Sequence, residues 1–411
     1  MKLLRISVGL IALLCLFFDT SYVLAGNELA INGQAVILMD AKSGRVLYER
    51  NSQEQLPPAS LTKIMTGLLV TENGNLDKKV TVSKHAADTP ECTIYLEPGE
   101  VLTRLELLYA ALLPSANDAS VALAESIAGS EANFLEMMNQ RAEELGLQNT
   151  HFVNPHGLHY EEHYTSAYDL ALLTKTALSN RLFAKVASTP RAVIPWDSRP
   201  DEDRLLLNQN KLLHRYDGAI GVKTGYTRQA GNCVVGAAKR GDMVLIAVSM
   251  NSSTVYEDLE ILFDYGFENY YMASLGKSHD LSRSINVRNG ESSTVTVLPA
   301  TDLLVAVTDE EAPYLAYSLE IKPDVTAPIQ TGDILGNCNL FIREESVGNI
   351  DLIAMHDVGI QTFSWTTTLF TVLKGLSLLT VCLLFIKMIR KRLRQQNSKG
   401  RIPSQYRRPH Y

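Results

Sequence analysis

Cysteine is scarce in this chain of 411 residues, which contains five. Cys15 and Cys382 fall within apolar runs near the two ends, which leaves Cys92, Cys233 and Cys338. An odd number of cysteines at wide spacing excludes the disulfide frameworks of small secreted domains. Cys233 lies in an apolar stretch, so we expect it to be buried as a small hydrophobic side chain.

Metal-ligand spacing is also lacking. The nine histidines are scattered and show no HExxH or similar pattern. We therefore predict neither a metal site nor a cofactor.

Acidic residues are absent from residue 387 onward, where nine positive residues occur, although the whole chain carries a net charge of −7. The remainder of the chain is therefore strongly acidic, which argues against nucleic acid as its partner. Nucleic-acid binding by the basic tail is a weaker alternative than a position beside a membrane, because an apolar run directly precedes it.

The N-terminal end has the pattern of a signal peptide. Lys2 and Arg5 precede an apolar core over residues 8–18, and small residues follow before position 26. We expect residues 1–25 to be removed by cleavage after Ala25. The alternative is an N-terminal anchor that is retained.

The second apolar run covers residues 365–386 and is long enough to span a hydrocarbon core of about 30 Å. Lys374 in its middle is unfavourable there, although a long side chain can reach the interface. An amphipathic helix lying on the membrane is the alternative. The basic tail, residues 387–411, is predicted to be cytoplasmic, with the acidic part of the chain outside.

Three polar motifs occur in a fixed order: Ser60-Leu61-Thr62-Lys63, Ser115-Ala116-Asn117 and Lys223-Thr224-Gly225. Each is weak alone, since Ser274-Leu275-Gly276-Lys277 and Ser249-Met250-Asn251 also fit the first two patterns. Together, in this order and spacing, they are typical of enzymes in which a serine attacks an acyl group.

The first motif suits that chemistry if Ser60 opens a helix. Ser60 and Lys63 would then lie one turn apart, with Gly67 on the same face allowing another segment to approach closely. A serine hydroxyl needs a base beside it. A lysine can be that base when burial or a second cation, here Lys223, lowers its pKa. An N-capping serine with an exposed lysine is the structural alternative.

The other two motifs also lie in segments whose secondary structure can be predicted. Ser115 and Asn117 lie between predicted helices at residues 104–113 and about 118–129, where helix capping is the structural alternative. The Lys223 motif lies in a predicted strand, residues 219–226, followed by apolar strands at 232–238 and 243–250. A strand beside a cleft can bind an extended peptide at its free edge. Gly225 would leave room for the substrate backbone.

These residues resemble the serine-type D-alanyl-D-alanine carboxypeptidases, the low-molecular-mass penicillin-binding proteins of the SxxK/SxN/KTG acyltransferase family. The likeness extends to residues 57–66, Tyr95-Leu96-Glu97-Pro98-Gly99-Glu100, Asn154-Pro155-His156-Gly157-Leu158 and residues 166–171. It covers residues 28–270, and more loosely continues to about 358.

The resemblance implies an α+β fold. A β-lactamase/transpeptidase-like domain, an antiparallel five-stranded sheet flanked by helices, is followed by a small all-β domain and a C-terminal membrane helix. We accordingly expect a signal peptide at 1–25, a catalytic domain at 26–273 and an all-β domain at 274–358. A membrane-anchoring helix at 365–386 and a cytoplasmic tail at 387–411 complete the chain.

The resemblance also implies a function. The family removes the terminal D-alanine from peptidoglycan stem pentapeptides through an acyl-enzyme, which limits cross-linking, and β-lactams acylate it. We therefore expect peptidoglycan, β-lactams and the cytoplasmic membrane as partners. The catalytic domain would face outward from a bacterial cell membrane that the chain crosses once.

Roles can be assigned by the same resemblance. Ser60 would be the nucleophile, Lys63 the general base and Ser115 a proton relay. The residues expected to bind substrate are Asn117, Lys223, Thr224, Gly225 and Tyr226. The backbone N–H groups of Ser60 and Tyr226 would form the oxyanion hole.

One departure concerns the substrate carboxylate. Family members often carry an arginine after the strand that follows the KTG strand, and residues 251–255 here contain none. Arg228 is a candidate replacement. For two further polar residues, His156 and Asp169, a structural role is the favoured interpretation. Asp169 lies at capping-box spacing from Ser166.

Three rival functions stay open to different degrees. A class A β-lactamase needs a glutamate-activated water, and residues 149–154 contain no ExxLN-type motif. A DD-endopeptidase uses the same acyl-enzyme chemistry, so the motifs do not exclude it. A catalytically silent scaffold would have lost a catalytic residue, and all three motifs are intact.

Overall fold

The computed structural model describes residues 29–196, 199, 201–361 and 365–398. The predicted signal peptide and residues 399–411 of the tail lie outside the described residues. Up to residue 270 the helices and strands are β1 (Ala35–Asp40), β2 (Val46–Arg50), α1 (Lys63–Glu72), β3 (Lys79–Thr81), α2 (Lys84–Ala87), β4 (Val101–Thr103), α3 (Arg104–Leu112), α4 (Asn117–Ala128), α5 (Glu131–Glu144), α6 (Ala167–Ser179), α7 (Arg181–Ala187), β5 (Arg191–Pro195), β6 (Asp203–Leu207), α8 (Leu212–Arg215), β7 (Ala219–Thr227), β8 (Gly231–Arg240), β9 (Met243–Met250) and α9 (Val255–Asn269).

A five-stranded sheet organises this part of the chain, with strand order β2-β1-β9-β8-β7. Every neighbouring pair is antiparallel. β1 pairs with β9 over its whole length, from Ala35 opposite Met250 to Asp40 opposite Leu245. The N-terminal strand is therefore locked beside a strand more than 200 residues later, and β7 is left at one edge.

Both faces of this sheet are covered, as the unbroken apolar run of β1 requires. Ile37 and Met39 belong to the core that includes α1, α3, α4 and α6. Val36 and Leu38, which point to the opposite face, pack in a second core with Leu259 of α9. The predicted arrangement of an antiparallel sheet between helices is confirmed.

Local signals account for the helix ends. Thr103 and Glu106 form a reciprocal capping box at the start of α3. α4 ends at Gly129, whose φ of 82° is left-handed and suits glycine. The first motif differs from the prediction, because Ser60 lies in a 3₁₀ turn, Ala59–Thr62, and α1 begins only at Lys63.

From residue 271 onward the elements are β10 (Tyr271–Gly276), β11 (Arg283–Asn286), β12 (Thr294–Pro299), β13 (Leu303–Val307), β14 (Leu315–Ile321), β15 (Ile334–Ile342), β16 (Glu345–Ala354) and α10 (Trp365–Ser398). The fully described stretch from Tyr271 to Ala354 has no α-helix, and its only helical turns are two short 3₁₀ segments. An all-β character for this stretch is thereby confirmed, and the domain boundaries stay predictions.

Contacts divide the chain into two compact units. The first holds the chain up to Ser282 with Leu298–Ile321 and Gly336–Leu352, and the second holds the remainder. In the first unit β10 pairs with β13 and β14 with β15. In the second, β11 pairs with β12.

The C-terminal helix is longer than predicted. It runs through the basic residues after 386, because lysine, arginine, leucine and glutamine all favour helix. Within it, Val372–Arg394 is long and apolar enough to cross a membrane, with a mean hydropathy of 2.1. This makes α10 a candidate membrane span.

Candidate active site

Ser60 is presented by the short 3₁₀ turn at the start of α1. Ala59 has a φ of 47°, and Thr62 Oγ1 donates a hydrogen bond to Ala59 O at 2.9 Å. Gly157 packs against the same carbonyl, where an added Cβ would come within 1.9 Å of Ala59 O. The turn that carries Ser60 is therefore held from two sides, and Gly157 is needed for that approach.

Lys63 is fully buried beside Ser60. Its Nζ lies 3.1 Å from Ser60 Oγ, 2.8 Å from Asn117 Oδ1 and 2.8 Å from the His156 backbone oxygen. One amine thus contacts groups from three separate segments. Gly67, one turn further, allows α7 to pack closely, since a Cβ there would lie 2.9 Å from the Phe183 ring.

The electrostatics of this amine are unusual. Burial lowers the pKa of Lys63 well below its ordinary value, and the nearby charge of Lys223 lowers it further. Lys223 is also buried, and burial lowers its own pKa to about 8. Two cations in one dry site favour a neutral Lys63 amine.

Ser115 and Asn117 stand where α3 ends and α4 begins. Ser115 has a φ of 70°, and its buried Oγ contacts no hydrogen-bonding group within the described part of the chain. Asn117 Nδ2 donates to Pro90 O at 2.9 Å while its Oδ1 faces Lys63. Neither side chain caps α4, so the capping interpretation does not apply here.

β7 brings the third motif to the same place. Lys223, Thr224 and Gly225 lie on this edge strand, with Gly225 opposite Cys233 of β8. A Cβ on Gly225 would come within 2.9 Å of Ser60 N. Tyr226, next along the strand, is exposed, as is Arg228 in the following turn. Cys233 is buried as expected.

The chance matches to the first two motifs are placed differently. Ser274 lies on strand β10, which ends at Gly276, so Lys277 lies beyond the strand and not one helical turn from the serine. Ser249 lies on β9, and its Oγ donates to Asp258 Oδ2 at 2.8 Å inside the core. The fold therefore brings together only one complete set of the three motifs.

Comparison with known proteins identifies the family. The family profile described as D-alanyl-D-alanine carboxypeptidase matches residues 23–254, and that of the penicillin-binding protein 5 C-terminal domain matches residues 267–359. The chain belongs to the D-alanyl-D-alanine carboxypeptidase family.

Individual members of this family are similar over most of their length. DacF of Bacillus subtilis is 37% identical over 343 residues, which cover 81% of this chain and 87% of DacF. DacC of Escherichia coli is 32% identical over 366 residues, which cover 84% of this chain and 90% of DacC. The crystal structure of DacD from Francisella tularensis matches with a TM-score of 0.59 and 29% identity, covering 84% and 100%. The crystal structure of penicillin-binding protein 5 from Haemophilus influenzae matches with a TM-score of 0.63 and 26% identity, and the match covers 81% of this chain and 99% of that one.

Two further polar residues, Asp169 and His156, differ in their surroundings, since Asp169 lies in a structural hydrogen-bond network and His156 lies beside Lys63. Asp169 accepts hydrogen bonds from Asn149 N at 2.8 Å and Thr150 Oγ1 at 2.7 Å. Ser166 Oγ accepts from Asp169 N, so only half of the expected capping box forms. His156 contributes its backbone oxygen, and burial lowers the pKa of its ring to about 3, with the Lys63 charge adding to the effect.

Sequence reasoning missed the loop that covers the second motif. Cys92 O accepts from Asn117 N at 2.6 Å, and Asp118 accepts from Ile94 N and Leu96 N, both at 3.1 Å. Asp118 is fully buried, and burial raises its pKa despite these hydrogen bonds. Two signals were available: the family likeness of residues 95–100, and the position of Asp118 directly after Asn117, since a buried acid there needs donors.

Proposed function

We propose that this chain removes the C-terminal D-alanine from peptidoglycan stem pentapeptides through an acyl-enzyme on Ser60, which limits cross-linking. The observation that carries the proposal is the contact of Ser60 Oγ with a buried Lys63 amine whose pKa is lowered by burial and by Lys223. The relatives named above, which are called D-alanyl-D-alanine carboxypeptidases, support it independently.

The chemistry follows from the roles of these groups. Neutral Lys63 takes the proton of Ser60 as the serine oxygen attacks the carbonyl carbon of the penultimate D-alanine. The tetrahedral oxyanion is stabilised by the N–H groups of Ser60 and Tyr226. The C–N bond then breaks, and the departing amine takes a proton relayed through Ser115. Water completes the cycle by hydrolysing the ester.

Substrate binding uses the edge of the sheet. An extended peptide would lie along β7 as an added strand, with Gly225 leaving room for its backbone. Asn117 would accept or donate to a substrate amide. Lys223 and the exposed Arg228 offer two cations, and Thr224 a hydroxyl, for the terminal carboxylate. A β-lactam would enter the same cleft and acylate Ser60.

The proposed location places this active site outside a bacterial membrane. Residues 372–394 form the candidate span, and the positive residues from 387 onward, at its C-terminal end and beyond it, favour the cytoplasmic side. The proposed signal peptide, 1–25, would direct the acidic part of the chain outward. Protease treatment of intact cells, which should digest the catalytic part and spare a C-terminal epitope, tests this single-pass topology.

Mass spectrometry tests the chemistry. The detergent-solubilised chain is incubated with diacetyl-Lys-D-Ala-D-Ala and, separately, with labelled penicillin. Ser60→Ala should abolish both D-alanine release and the penicillin adduct. Ser274→Ala, at the second SxxK match, is the matched control and should keep both. If the wild type shows neither signal while folded, the catalytic proposal is wrong.

The same assay, with a cross-linked peptide dimer added as a third substrate, separates the nearest alternative. A DD-endopeptidase would be acylated by penicillin but would cut cross-linked dimers faster than it releases D-alanine. We expect the reverse order of rates, since the relatives are called carboxypeptidases.

A further inference from the structure

Tyr95 stands out in the loop that precedes β4 and packs against the start of α4. It is 77% exposed, although its neighbours Ile94 and Leu96 are buried. Its φ is 59°, a left-handed conformation that a bulky residue rarely adopts. Such strain persists only where the surrounding structure enforces it, and it concentrates at functional positions.

Buried charges on both sides enforce it. Asp118 holds the N–H groups of Ile94 and Leu96, the two residues that flank Tyr95. Arg204 of β6 donates to the Tyr95 carbonyl at 3.3 Å while paired with Glu100 at 2.5 Å. The backbone at Tyr95 is therefore held from both sides, while the residue as a whole stays exposed.

The same loop packs against Asn117, the active-site residue with which α4 begins. Pro90 O and Cys92 O both accept hydrogen bonds from Asn117, whose Oδ1 is 2.8 Å from Lys63 Nζ. The active site is thus bordered by this loop through Asn117 and by β7 through Gly225, which approaches Ser60 N. A peptide lying on β7 would then run close to the loop.

We propose that Tyr95 is a specificity-determining residue, whose ring packs against the stem peptide upstream of the D-Ala-D-Ala terminus. An exposed tyrosine supplies a large, rigid apolar surface at little entropic cost, which is why such residues dominate binding energy at interfaces. A strained backbone that points this ring outward serves binding rather than the core. The inference rests on the proposed carboxypeptidase function.

The test compares substrates that differ only upstream. Michaelis constants are measured for acetyl-D-Ala-D-Ala, a stem pentapeptide and its disaccharide-linked form, with the full chain in detergent. We expect Tyr95→Ala to raise KM for the pentapeptide and its disaccharide-linked form about tenfold equally. The KM for acetyl-D-Ala-D-Ala and the rate of penicillin acylation should stay unchanged. Tyr95→Phe, which keeps the ring, should behave as wild type.

A purely structural role is separated by Tyr95→Asn. Asparagine tolerates left-handed backbone, so this variant should melt at or above the temperature of wild type while showing the same loss as Tyr95→Ala. Tyr271→Ala, at an exposed tyrosine of β10, controls for loss of any surface ring and should leave all constants unchanged.

Three outcomes overturn the inference: no change in KM, an equal loss with acetyl-D-Ala-D-Ala and with the pentapeptide, or a loss confined to the disaccharide-linked substrate. The last would place the contact on the glycan. Failure of the proposed function looks different, because wild type itself would then release no D-alanine from any of these substrates.

Discussion

The ion pair between Glu100 and Arg204 connects the loop of Tyr95 to the hairpin of β5 and β6. Their side chains are only 2% and 4% exposed, with two contacts of 2.5 and 3.0 Å. Glu100→Gln keeps the shape of the side chain but removes its charge. Arg204 would then carry an unpaired charge in a buried position.

The cost follows from that burial. Removing one partner of a buried ion pair costs about 3–5 kcal/mol in the free energy of unfolding. For a domain of this size each kcal/mol shifts the melting temperature by roughly 2–4 °C, so we expect a fall of about 6–20 °C. Circular dichroism during heating of the detergent-solubilised chain measures it.

Two further variants make the result specific. Arg199 and Glu202 form an exposed pair at 3.3 Å, 55% and 61% accessible. Glu202→Gln should cost at most about 1 kcal/mol. Replacing both Glu100 and Arg204 by methionine should recover most of the loss, because no buried charge remains. If Glu100→Gln and Glu202→Gln lower the melting temperature by the same amount, the buried ion pair does not hold the loop.

Three other perturbations test the site. Gly157→Ala should abolish the penicillin adduct and lower the melting temperature sharply, because its Cβ would lie 1.9 Å from Ala59 O at a φ of 98°. Gly129→Ala is the control: this position is also left-handed but has no atom within 4 Å of the added Cβ, so the free energy of unfolding should fall by only about 1 kcal/mol. Equal effects of the two variants would contradict the packing of Gly157 against Ala59. Lys223→Met should raise the pKa of Lys63 and move the acidic limb of the penicillin acylation rate to higher pH, whereas an unmoved limb would refute the coupling. Burial lowers the pKa of His163 from 6.5 to about 3. The stability that neutral His163 contributes is therefore complete above pH 6.5 and falls as the pH drops toward 3, by up to about 1.4 kcal/mol per pH unit. His163→Gln should flatten this pH dependence of the free energy of unfolding, as measured by urea titrations.

Some features of this protein were determined by the sequence alone, because they depend on local patterns. The three motifs, the apolar strands β8 and β9 and the helix that ends at Gly129 were all predicted from spacing, periodicity and capping residues. The family and its α+β fold followed from those motifs and are confirmed. The start of α1 was displaced by a 3₁₀ turn, since an end of a helix depends on packing as well as on propensity.

Only the tertiary structure decided which of the motif matches come together in space and which groups surround them. Ser60 and Ser274 fit the same pattern, and only the turn before α1 brings a lysine to its serine. The contacts that define Lys63 span 54 residues to Asn117 and 93 to His156, and the pair that holds the Tyr95 loop spans 104. Long-range contacts of this kind leave no periodic trace in a single sequence, so the fixed tyrosine emerges only from the folded chain. The lowered pKa of Lys63 was expected from the motifs, and the folded chain supplies the burial that is its main cause.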